Sequence, residues 1–342
     1  MSTETDPGAD PGTGDVAPRG PDFETETAPL RAELLAHCYR MMGSAVEAED
    51  VVQETYLRAW RAFHDFEGRS SVRTWMYRIA TNTCLNALTS ASRRVLPQGL
   101  GGPPGDPTAP LNQRMDEAWL EPLPDAMLWT SAAPTPEEQL VARENVTIAW
   151  TTALQSLPPN QRAVLLLREV LQLSAEETAQ TLGTTVASVN SALQRCRASI
   201  GEGLDAAGTA SAVDPALEEA AVAAFVDAFE RHDFDAVVAS LAEDVTWQMP
   251  PFDRWYVGAE GSAVLSWTHC PAAGPGDLRY LVTRANNQPA VGMYLRKGRD
   301  FEAFQFQVLR VDADGRVDDV VGFFDAHLFR LAGLPLVIEA AG

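Results

Sequence analysis

Lysine and cysteine are scarce in this 342-residue sequence, and positive charge as a whole is in deficit. Lys297 is the only lysine, and 26 basic residues stand against 47 acidic ones, which gives a formal net charge of −21. Proteins that coat nucleic acid by themselves usually carry a basic surplus. The deficit argues against such a protein, so any role on DNA requires positive charge from a partner.

The four cysteines are widely spaced, with no Cys-x-x-Cys pair and no histidine at metal-ligand spacing. We therefore expect reduced thiols, no metal and no cofactor. No apolar run approaches the roughly 20 residues that a membrane-spanning helix needs. The N-terminus lacks the basic start and apolar centre of a secretory signal. These absences predict a cytoplasmic protein without membrane contact.

Segments rich in Gly, Pro or small residues divide the chain into three blocks of regular pattern. The length of the chain also corresponds to two or three domains of typical size. We expect a multidomain protein in which two all-α helical domains precede an α+β domain. The predicted boundaries are 1–28 for a disordered acidic tail, 29–96 for the first helical domain, 97–139 for a flexible linker, 140–204 for the second helical domain, 205–214 for a short linker and 215–342 for the α+β domain.

The three blocks differ in their periodicity. Apolar residues recur every three or four positions in the first block, which predicts helices. In the second, the tight turn at 182–185 separates two short helical patterns, as in a helix-turn-helix. The third begins as a helix and then alternates apolar and polar residues in 304–308. The turn at 312–315 and the run 317–324 that follows it complete a predicted β-hairpin.

Acidic and amide side chains share one face of a predicted helix in the first block, while Val51, Val52 and Thr55 face elsewhere. They are Glu49, Asp50, Gln53 and Glu54. Taken alone, they form a solvated surface. The full string Ala-Glu-Asp-Val-Val-Gln-Glu-x-x-Leu-Arg-Ala-Trp resembles region 2 of bacterial RNA polymerase sigma factors of the small, extracytoplasmic-function type. That resemblance implies that the acidic face binds a basic coiled coil of core RNA polymerase.

The segment 66–82 places a Gly/Ser loop before a helix that mixes aromatics, arginines and an amide. Single-stranded DNA requires these groups for phosphate contact, stacking and base-edge reading. The segment resembles the family's minus-ten recognition region. By that resemblance Phe66, Gly68, Arg69, Ser70, Ser71 and Asn82 form a pocket for an extruded base, Arg73 and Arg78 contact the backbone, and Trp75 either contacts DNA or, as we favour, packs in the core.

The second block resembles region 4 of the same family, which binds the minus-thirty-five promoter element through its helix-turn-helix. The resemblance assigns DNA contacts to Ser188, Asn190, Ser191, Gln194, Arg195 and Arg197. Many family members carry basic residues where this chain has Asn190 and Ala192, so fewer phosphate contacts are expected. The helical string 189–195 and the string Trp-Leu-Glu-Pro-Leu-Pro-Asp at 119–125 resemble the sigma-G and sigma-J subgroups.

The third block resembles the SnoaL-like domains, α+β folds of conical shape with a central pocket and many functions. Some relatives use a pocket Asp or His as general base, which makes Asp253, His269 and Asp325 candidates. No acid–base pair stands at recognisable spacing, so no catalytic residue is assigned. The aromatic set is expected to fill a core or a partner surface rather than a ligand cavity. It comprises Trp247, Phe252, Trp255, Tyr256 and Trp267.

These resemblances predict a non-enzymatic sigma factor that binds core RNA polymerase and promoter DNA. They also imply a regulatory third domain that contacts the sigma core or the 119–125 string within the same chain. Whether an anti-sigma factor also binds is left open. Two alternatives remain: a ligand-responsive helix-turn-helix regulator, and a SnoaL-like enzyme fused to a DNA-binding module. The docking and minus-ten strings have no role in the first alternative.

Overall fold

The computed structural model describes residues 22–89, 93–128, 146–208 and 213–339, with side chains described to Ile200 within the third range. The first helical domain begins earlier than the sequence predicts. Most of the predicted acidic tail lies outside the described residues, but helix α1 occupies its last part. The helices of this domain are α1 Phe23–Thr27, α2 Arg31–Met42, α3 Ala45–Ala62 and α4 Val72–Ala87.

An aromatic anchor orders the end of the predicted tail. The ring of Phe23 lies edge-on to Trp60 at 5.4 Å and to Phe63 at 5.1 Å. The Tyr56 hydroxyl donates to the carbonyl oxygen of Thr27 at 2.7 Å. The prediction of disorder is therefore wrong for residues 23–27, because aromatic contact with α3 outweighs the acidic composition of the segment.

Local capping explains where the helices of the first domain begin and end. Gly43 adopts φ +73° and donates its N–H to the Tyr39 carbonyl oxygen at 2.7 Å, which closes α2. Ser44 then caps α3 by accepting from the Glu47 N–H at 3.2 Å. Ser71 caps α4 in the same way through the Thr74 N–H at 3.1 Å.

The second helical domain contains the predicted helix-turn-helix. Ser174 and Glu177 form a reciprocal capping box at the start of the supporting helix, and Gly183 ends that helix at φ +60°. The last helix extends four residues beyond the predicted boundary at 204. The elements are α5 Ile148–Gln155, α6 Pro159–Leu165, one wider π turn Leu166–Val170, α7 Ala175–Leu182 and α8 Val186–Gly208.

The third domain packs helices against a mixed sheet. Within the described residues, seven strands pair in the order β2-β1-β6-β5-β4-β3, with β7 beside β5. The β1–β6 pair is parallel and the other pairs are antiparallel. The strands are β1 Leu241–Gln248, β2 Trp255–Val257, β3 Leu278–Ala285, β4 Gln288–Lys297, β5 Asp300–Val311, β6 Val317–Phe323 and β7 Val337–Ile338. The helices are α9 Pro215–Glu230, α10 Phe234–Ser240, α11 Ala259–His269 and α12 Ala326–Leu331.

The two helical domains share one hydrophobic core, which the sequence did not predict. Leu34, Met41 and Tyr77 from the first domain belong to the same buried cluster as Leu154 and Leu165 from the second. At the contact, the buried Arg162 guanidinium donates to the Met41 carbonyl oxygen and to the Gln155 side-chain oxygen. Burial lowers the pKa of Arg162 to about 10, so this group stays charged at neutral pH. The result is a closed arrangement of the helical domains.

The segment predicted as a flexible linker is ordered from residue 97 to residue 128. Its Gly105 N–H donates to the Trp255 carbonyl oxygen at 2.8 Å, and the Trp255 indole N–H donates back to Gly102 at 2.9 Å. Farther along, the Glu121 N–H donates to Gly43 of the first domain at 3.0 Å. Flexibility is the wrong prediction here, because these backbone groups find partners on both neighbouring domains. Residues 129–139 of the predicted linker lie outside the described residues.

One turn of the third domain joins all three domains. Asn286, between β3 and β4, is fully buried and adopts φ +57°. Its Oδ1 accepts from the linker Leu123 N–H at 2.8 Å, and its Nδ2 donates to the Tyr39 hydroxyl at 2.9 Å and to the Val146 carbonyl oxygen at 2.5 Å. The Ile148 N–H also donates to the side-chain Oε1 of Gln288 at 2.9 Å. We call residues 286–288 the joint turn.

Replacing Asn286 by alanine should loosen this joint. The change leaves the Leu123 N–H buried without its partner, and the Val146 carbonyl oxygen keeps only the Thr151 hydroxyl at 3.4 Å. This loss costs about 1–3 kcal/mol of unfolding free energy. Asn287→Ala is the matched control for backbone strain, because Asn287 also has positive φ, at +55°. Chemical denaturation followed by circular dichroism would measure both variants. Equal losses would assign the cost to backbone strain and refute the side-chain account.

Candidate polymerase and promoter surfaces

The predicted acidic face lies on α3, with Val51, Val52 and Thr55 turned into the core as expected. Asp50 and Gln53 are exposed, whereas Glu49 and Glu54 are half-buried. Glu49 pairs with Arg31 at 2.5 Å and Glu54 pairs with Arg58 at 2.6 Å. Asp50 is therefore the member of this face whose carboxylate is best presented to a partner.

Apolar side chains flank the acidic face, and the sequence reasoning missed them. Val46, Leu57 and Trp60 are 38%, 51% and 65% exposed on the same helix. Together with Asp50 and Gln53 they follow helical spacing, so they line one stripe of α3. Exposed large apolar residues rimmed by charge are typical of protein–protein contact surfaces. The spacing could have shown this stripe, because it follows the same period as the acidic residues.

The predicted minus-ten pocket divides into a loop and a more distant amide. Gly68, Arg69, Ser70 and Ser71 are exposed on the loop before α4. Phe66 packs against Trp75 with ring centroids 5.0 Å apart. The structure brings the five loop residues together at the start of α4: Phe66, Gly68, Arg69, Ser70 and Ser71.

Two predicted minus-ten residues are engaged within the protein. The Arg73 guanidinium bonds to the Glu33 carboxylate, with Nη2–Oε2 at 2.7 Å, and lies over the Tyr77 ring. Asn82 donates from Nδ2 to the Thr181 carbonyl oxygen on α7 at 3.2 Å. Asn82 thus faces the second helical domain rather than the loop, whereas Arg78 is exposed. The closed arrangement of the helical domains explains the position of Asn82.

The predicted minus-thirty-five residues are all exposed on α8. This set comprises Ser188, Asn190, Ser191, Gln194, Arg195 and Arg197. Val189 and Leu193 turn inward and seat the helix on its support. Arg197 pairs with Glu169 at 2.6 Å in an exposed contact, which is weak enough to exchange for a phosphate. The polar side chains of α8 therefore form one surface that can enter a major groove.

Two linker carboxylates lie where the linker meets the domains. Glu121 accepts from the Ser44 hydroxyl and lies 3.5 Å from Arg94 Nη1, while burial raises its pKa. Asp125 accepts from the Asn287 N–H at 3.1 Å, and burial raises its pKa to about 6. Arg284, at 3.8 Å from Asp125, opposes that rise only in part. Asp125 therefore carries a charge at neutral pH that folding disfavours.

The three candidate general bases of the third domain bond to separate partners and not to one another. They are Asp253, His269 and Asp325. Asp253 accepts from the Asn112 amide at 2.6 Å, and Asp325 caps α12 through the His327 N–H at 2.8 Å. His269 Nε2 lies 3.1 Å from the Pro107 carbonyl oxygen, while its ring lines a cavity. Trp247, Phe252 and Trp267 line the same cavity, whereas Trp255 and Tyr256 belong to β2.

Two further kinds of site, a metal centre and a membrane-spanning helix, would be recognisable from side-chain clusters and helix composition among the residues that the structure describes. No cluster of three or more His, Cys, Asp or Glu side chains there has a geometry suited to a metal ion. Nor does any described helix combine the length and apolar character needed to span a bilayer.

Comparison with known protein families matches three parts of the chain. Residues 29–94 match the family described as Sigma-70 region 2, and residues 148–200 match Sigma-70, region 4. Residues 222–320 match the SnoaL-like domain family. The order of the matches agrees with the order of the two helical domains and the sheet domain.

Individual relatives extend the comparison over nearly the whole chain. The extracytoplasmic-function RNA polymerase sigma factor SigG of Mycobacterium tuberculosis is 48% identical over 92% of this chain and 84% of its own length. RNA polymerase sigma-H factor of Pseudomonas aeruginosa is 33% identical over 53% of this chain and 86% of its own. The crystal structure of SigJ from Mycobacterium tuberculosis covers 91% of this chain and 99% of its own, with a TM-score of 0.60 and 23% identity. The predicted fold class and family resemblance are confirmed.

The raised pKa of Asp125 predicts that the stability of the folded protein depends on pH. The folded state holds a proton that the unfolded state releases between about pH 4 and pH 6, so stability falls as pH rises through about 6. Asp125→Asn keeps an acceptor for Asn287 and should stabilise the protein at pH 7.5 by about 1–3 kcal/mol. Urea denaturation at pH 5 and 7.5 would test this, with exposed Asp314→Asn as control. If Asp125→Asn changed the unfolding free energy by the same amount at pH 5 and at pH 7.5, the raised pKa would not belong to Asp125.

Proposed function

Because this chain belongs to the extracytoplasmic-function RNA polymerase sigma factors, we propose that its third domain holds the two helical domains closed and restrains their use of promoter DNA. The chain acts as a sigma factor, which directs promoter-specific initiation of transcription by RNA polymerase. The observation that carries it is the joint turn, whose side chains bond to both helical domains and to the linker.

The stripe on α3 is proposed as the core polymerase docking surface. Beside the stripe, with its exposed Leu57 and Trp60, lies the rest of the acidic face, and the whole face is assigned to this surface: Glu49, Asp50, Gln53 and Glu54. An aromatic and an aliphatic side chain can supply desolvated contact area, while the carboxylates select a basic partner surface. A partner with positive charge would also offset the net charge of −21, which otherwise repels DNA.

Promoter reading is assigned to two surfaces. The loop residues Phe66, Gly68, Arg69, Ser70 and Ser71, with Arg73, Trp75, Arg78 and Asn82 on α4, are proposed to hold the melted minus-ten strand. The exposed α8 set, Ser188, Asn190, Ser191, Gln194, Arg195 and Arg197, is proposed to read the minus-thirty-five duplex. Aromatic and guanidinium groups suit single strands, whereas a helix with polar side chains suits the major groove.

The closed arrangement conflicts with the use of Asn82. This amide bonds to Thr181 of the second helical domain at 3.2 Å, so reading a base requires that α7 move away. A separation of the helical domains would also strain the joint turn, because Tyr39 and Val146 bond to one asparagine. The third domain therefore opposes opening and acts as a negative regulator within the chain.

The proposed place of action is the cytoplasm, beside core polymerase and promoter DNA. An enzyme fused to a DNA-binding module is the weaker alternative, because Asp253, His269 and Asp325 bond to separate partners within the chain. A helix-turn-helix regulator that works alone leaves the exposed α3 stripe without a role.

Charge reversal at Asp50 tests the docking surface. Asp50→Arg should weaken binding to core polymerase by about tenfold or more, because the new cation faces a basic partner surface. Glu219→Arg changes charge equally at an exposed site of the third domain and should leave binding unchanged. Affinity for purified core polymerase and the yield of start-site-specific transcripts would be measured. Equal effects of the two variants would refute the docking assignment.

Asn286→Ala tests the restraint. Loosening the joint should raise transcript yield at limiting protein by about threefold or more, since roughly 1 kcal/mol shifts a closed–open equilibrium by about fivefold. Asn287→Ala, at the neighbouring position of the turn, serves as control. A point variant is preferable to removal of residues after 214, because removal would expose two residues that are buried against the third domain, Leu96 and Leu120. A yield equal to or below that of the control would contradict the restraint.

A further inference from the structure

Aromatic rings form a continuous row on the first helical domain, from the N-terminal helix α1 to the loop before α4. The ring of Phe23 on α1 lies 5.1 Å from the ring of Phe63 and meets it edge to face. Phe63 stacks with Phe66 at 6.2 Å and lies 6.1 Å from Trp75. Phe66 and Trp75 complete the row at 5.0 Å. Ring pairs at these distances attract one another beyond their buried area, so the four rings stabilise each other. We call them the aromatic row.

Phe63 is the central ring of the row, because it stands where α3 passes into the loop. It begins a short 3-10 turn, Phe63–Asp65, directly after α3 ends. The Phe66 N–H donates to the Phe63 carbonyl oxygen at 3.1 Å, so the backbone also holds these two residues together. The orientation of Phe63 therefore sets that of Phe66, with which the loop begins.

The loop itself is open to solvent. Gly68 adopts φ +68°, and residues 67–71 are exposed. Ser71 anchors the far end of the loop by capping α4 through the Thr74 N–H at 3.1 Å. Phe66 anchors the near end through its ring contacts. The conformation of the near end therefore depends on the aromatic row.

Phe23 also contacts the helix that carries the proposed docking stripe. Its ring lies edge-on to Trp60 at 5.4 Å and to Tyr56 at 6.3 Å. Trp60 is 65% exposed, so part of its surface remains available to a partner. Phe23 thus joins the α3 stripe to the row that ends at the proposed minus-ten loop.

Helix α1 depends on tertiary contacts, because helices shorter than roughly 12–15 residues are marginal in water by themselves. Its last residue, Thr27, is buried and accepts at its carbonyl oxygen from the Tyr56 hydroxyl at 2.7 Å. Burial raises the pKa of Tyr56 to about 12, so this hydroxyl keeps its proton at neutral pH. Residues 23–27 also precede the segment 29–94 that matches Sigma-70 region 2. The ring of Phe23 therefore comes from outside the matched segment.

We propose that Phe23 is a positioning residue for promoter melting. It fixes Phe63 and, through the aromatic row, holds the loop in the conformation that receives the displaced DNA strand. Because the same ring braces Trp60, a partner that immobilises Trp60 also stabilises the loop. This role of Phe23 rests on the proposed minus-ten function of the loop, which the variant Phe66→Ala tests separately.

Promoter melting by holoenzyme reconstituted from the full chain tests the role of Phe23. Phe23→Ala should slow open-complex formation at saturating polymerase by about fivefold, because the loop is no longer preorganised when the strand arrives. Permanganate reactivity of unpaired thymines would follow melting over time. Thr25→Ala is the matched control, since Thr25 is exposed on the same short helix and its hydroxyl donates to Asp22. Equal rates for the two variants would overturn the role.

Conservative variants separate the ring contact from folding. Phe23→Tyr keeps the ring and should melt the promoter at nearly the rate of the unaltered chain. Tyr56→Phe removes the hydroxyl bond to Thr27 and should slow melting by about twofold, because α1 is held less firmly. Thermal melting of the protein would confirm that each variant is folded. A Phe23→Tyr rate as low as that of Phe23→Ala would refute the role. If Phe23→Ala does not fold, an unchanged rate in Tyr56→Phe would refute it instead.

A double-mutant cycle identifies the route of the effect. In the Phe66→Ala background, Phe23→Ala should slow melting by less than about twofold, because the ring through which it acts is already absent. Full multiplication of the two single losses would overturn the route through the row. An unchanged rate in Phe66→Ala alone would refute the minus-ten function of the loop, and the role of Phe23 with it. A slow Phe66→Ala beside an unchanged Phe23→Ala would refute the role of Phe23 alone.

Discussion

The bonds of Asn286 are the constraint on which the arrangement of this protein depends. A single buried amide is satisfied only when the linker, the first helical domain and the second helical domain all stand around it. If one of them moves away, buried polar groups lose their partners, and each loss costs free energy. The three domains are therefore coupled through one turn rather than joined by a flexible chain.

This coupling explains the linker. Its glycines allow many backbone conformations in isolation, and its prolines prevent a continuous helix or central strand. In the folded chain, Gly105 and Arg114 bond to the third domain, while Glu121 bonds to the first. The linker thus lies between the cavity of the third domain and the joint turn. A change at either end has a physical route to the other through contacting residues.

The closed arrangement of the helical domains leaves the acidic α3 surface accessible but not the Asn82 amide. The α3 stripe is exposed in the closed form, so the docking that we propose for it does not require the helical domains to separate first. Asn82, by contrast, is engaged with Thr181 and becomes available only when α7 moves. The proposed polymerase contact therefore requires no movement of α7, whereas the proposed promoter contact of Asn82 does. Under the proposed assignments, this sigma factor binds its polymerase before it reads its promoter.

The sequence by itself determined the helical domains, the helix-turn-helix, the strands of the 304–324 hairpin and the acidic face, because local periodicity, caps and turn residues carry that information. It also identified the exposed α8 residues and the loop before α4. Only the tertiary structure decided the order of residues 23–27, the course of the linker and the positions of Arg73, Asn82 and Asn286. These features depend on partners up to 247 residues away in the chain, and pattern reasoning over neighbouring residues contains no term for such contacts.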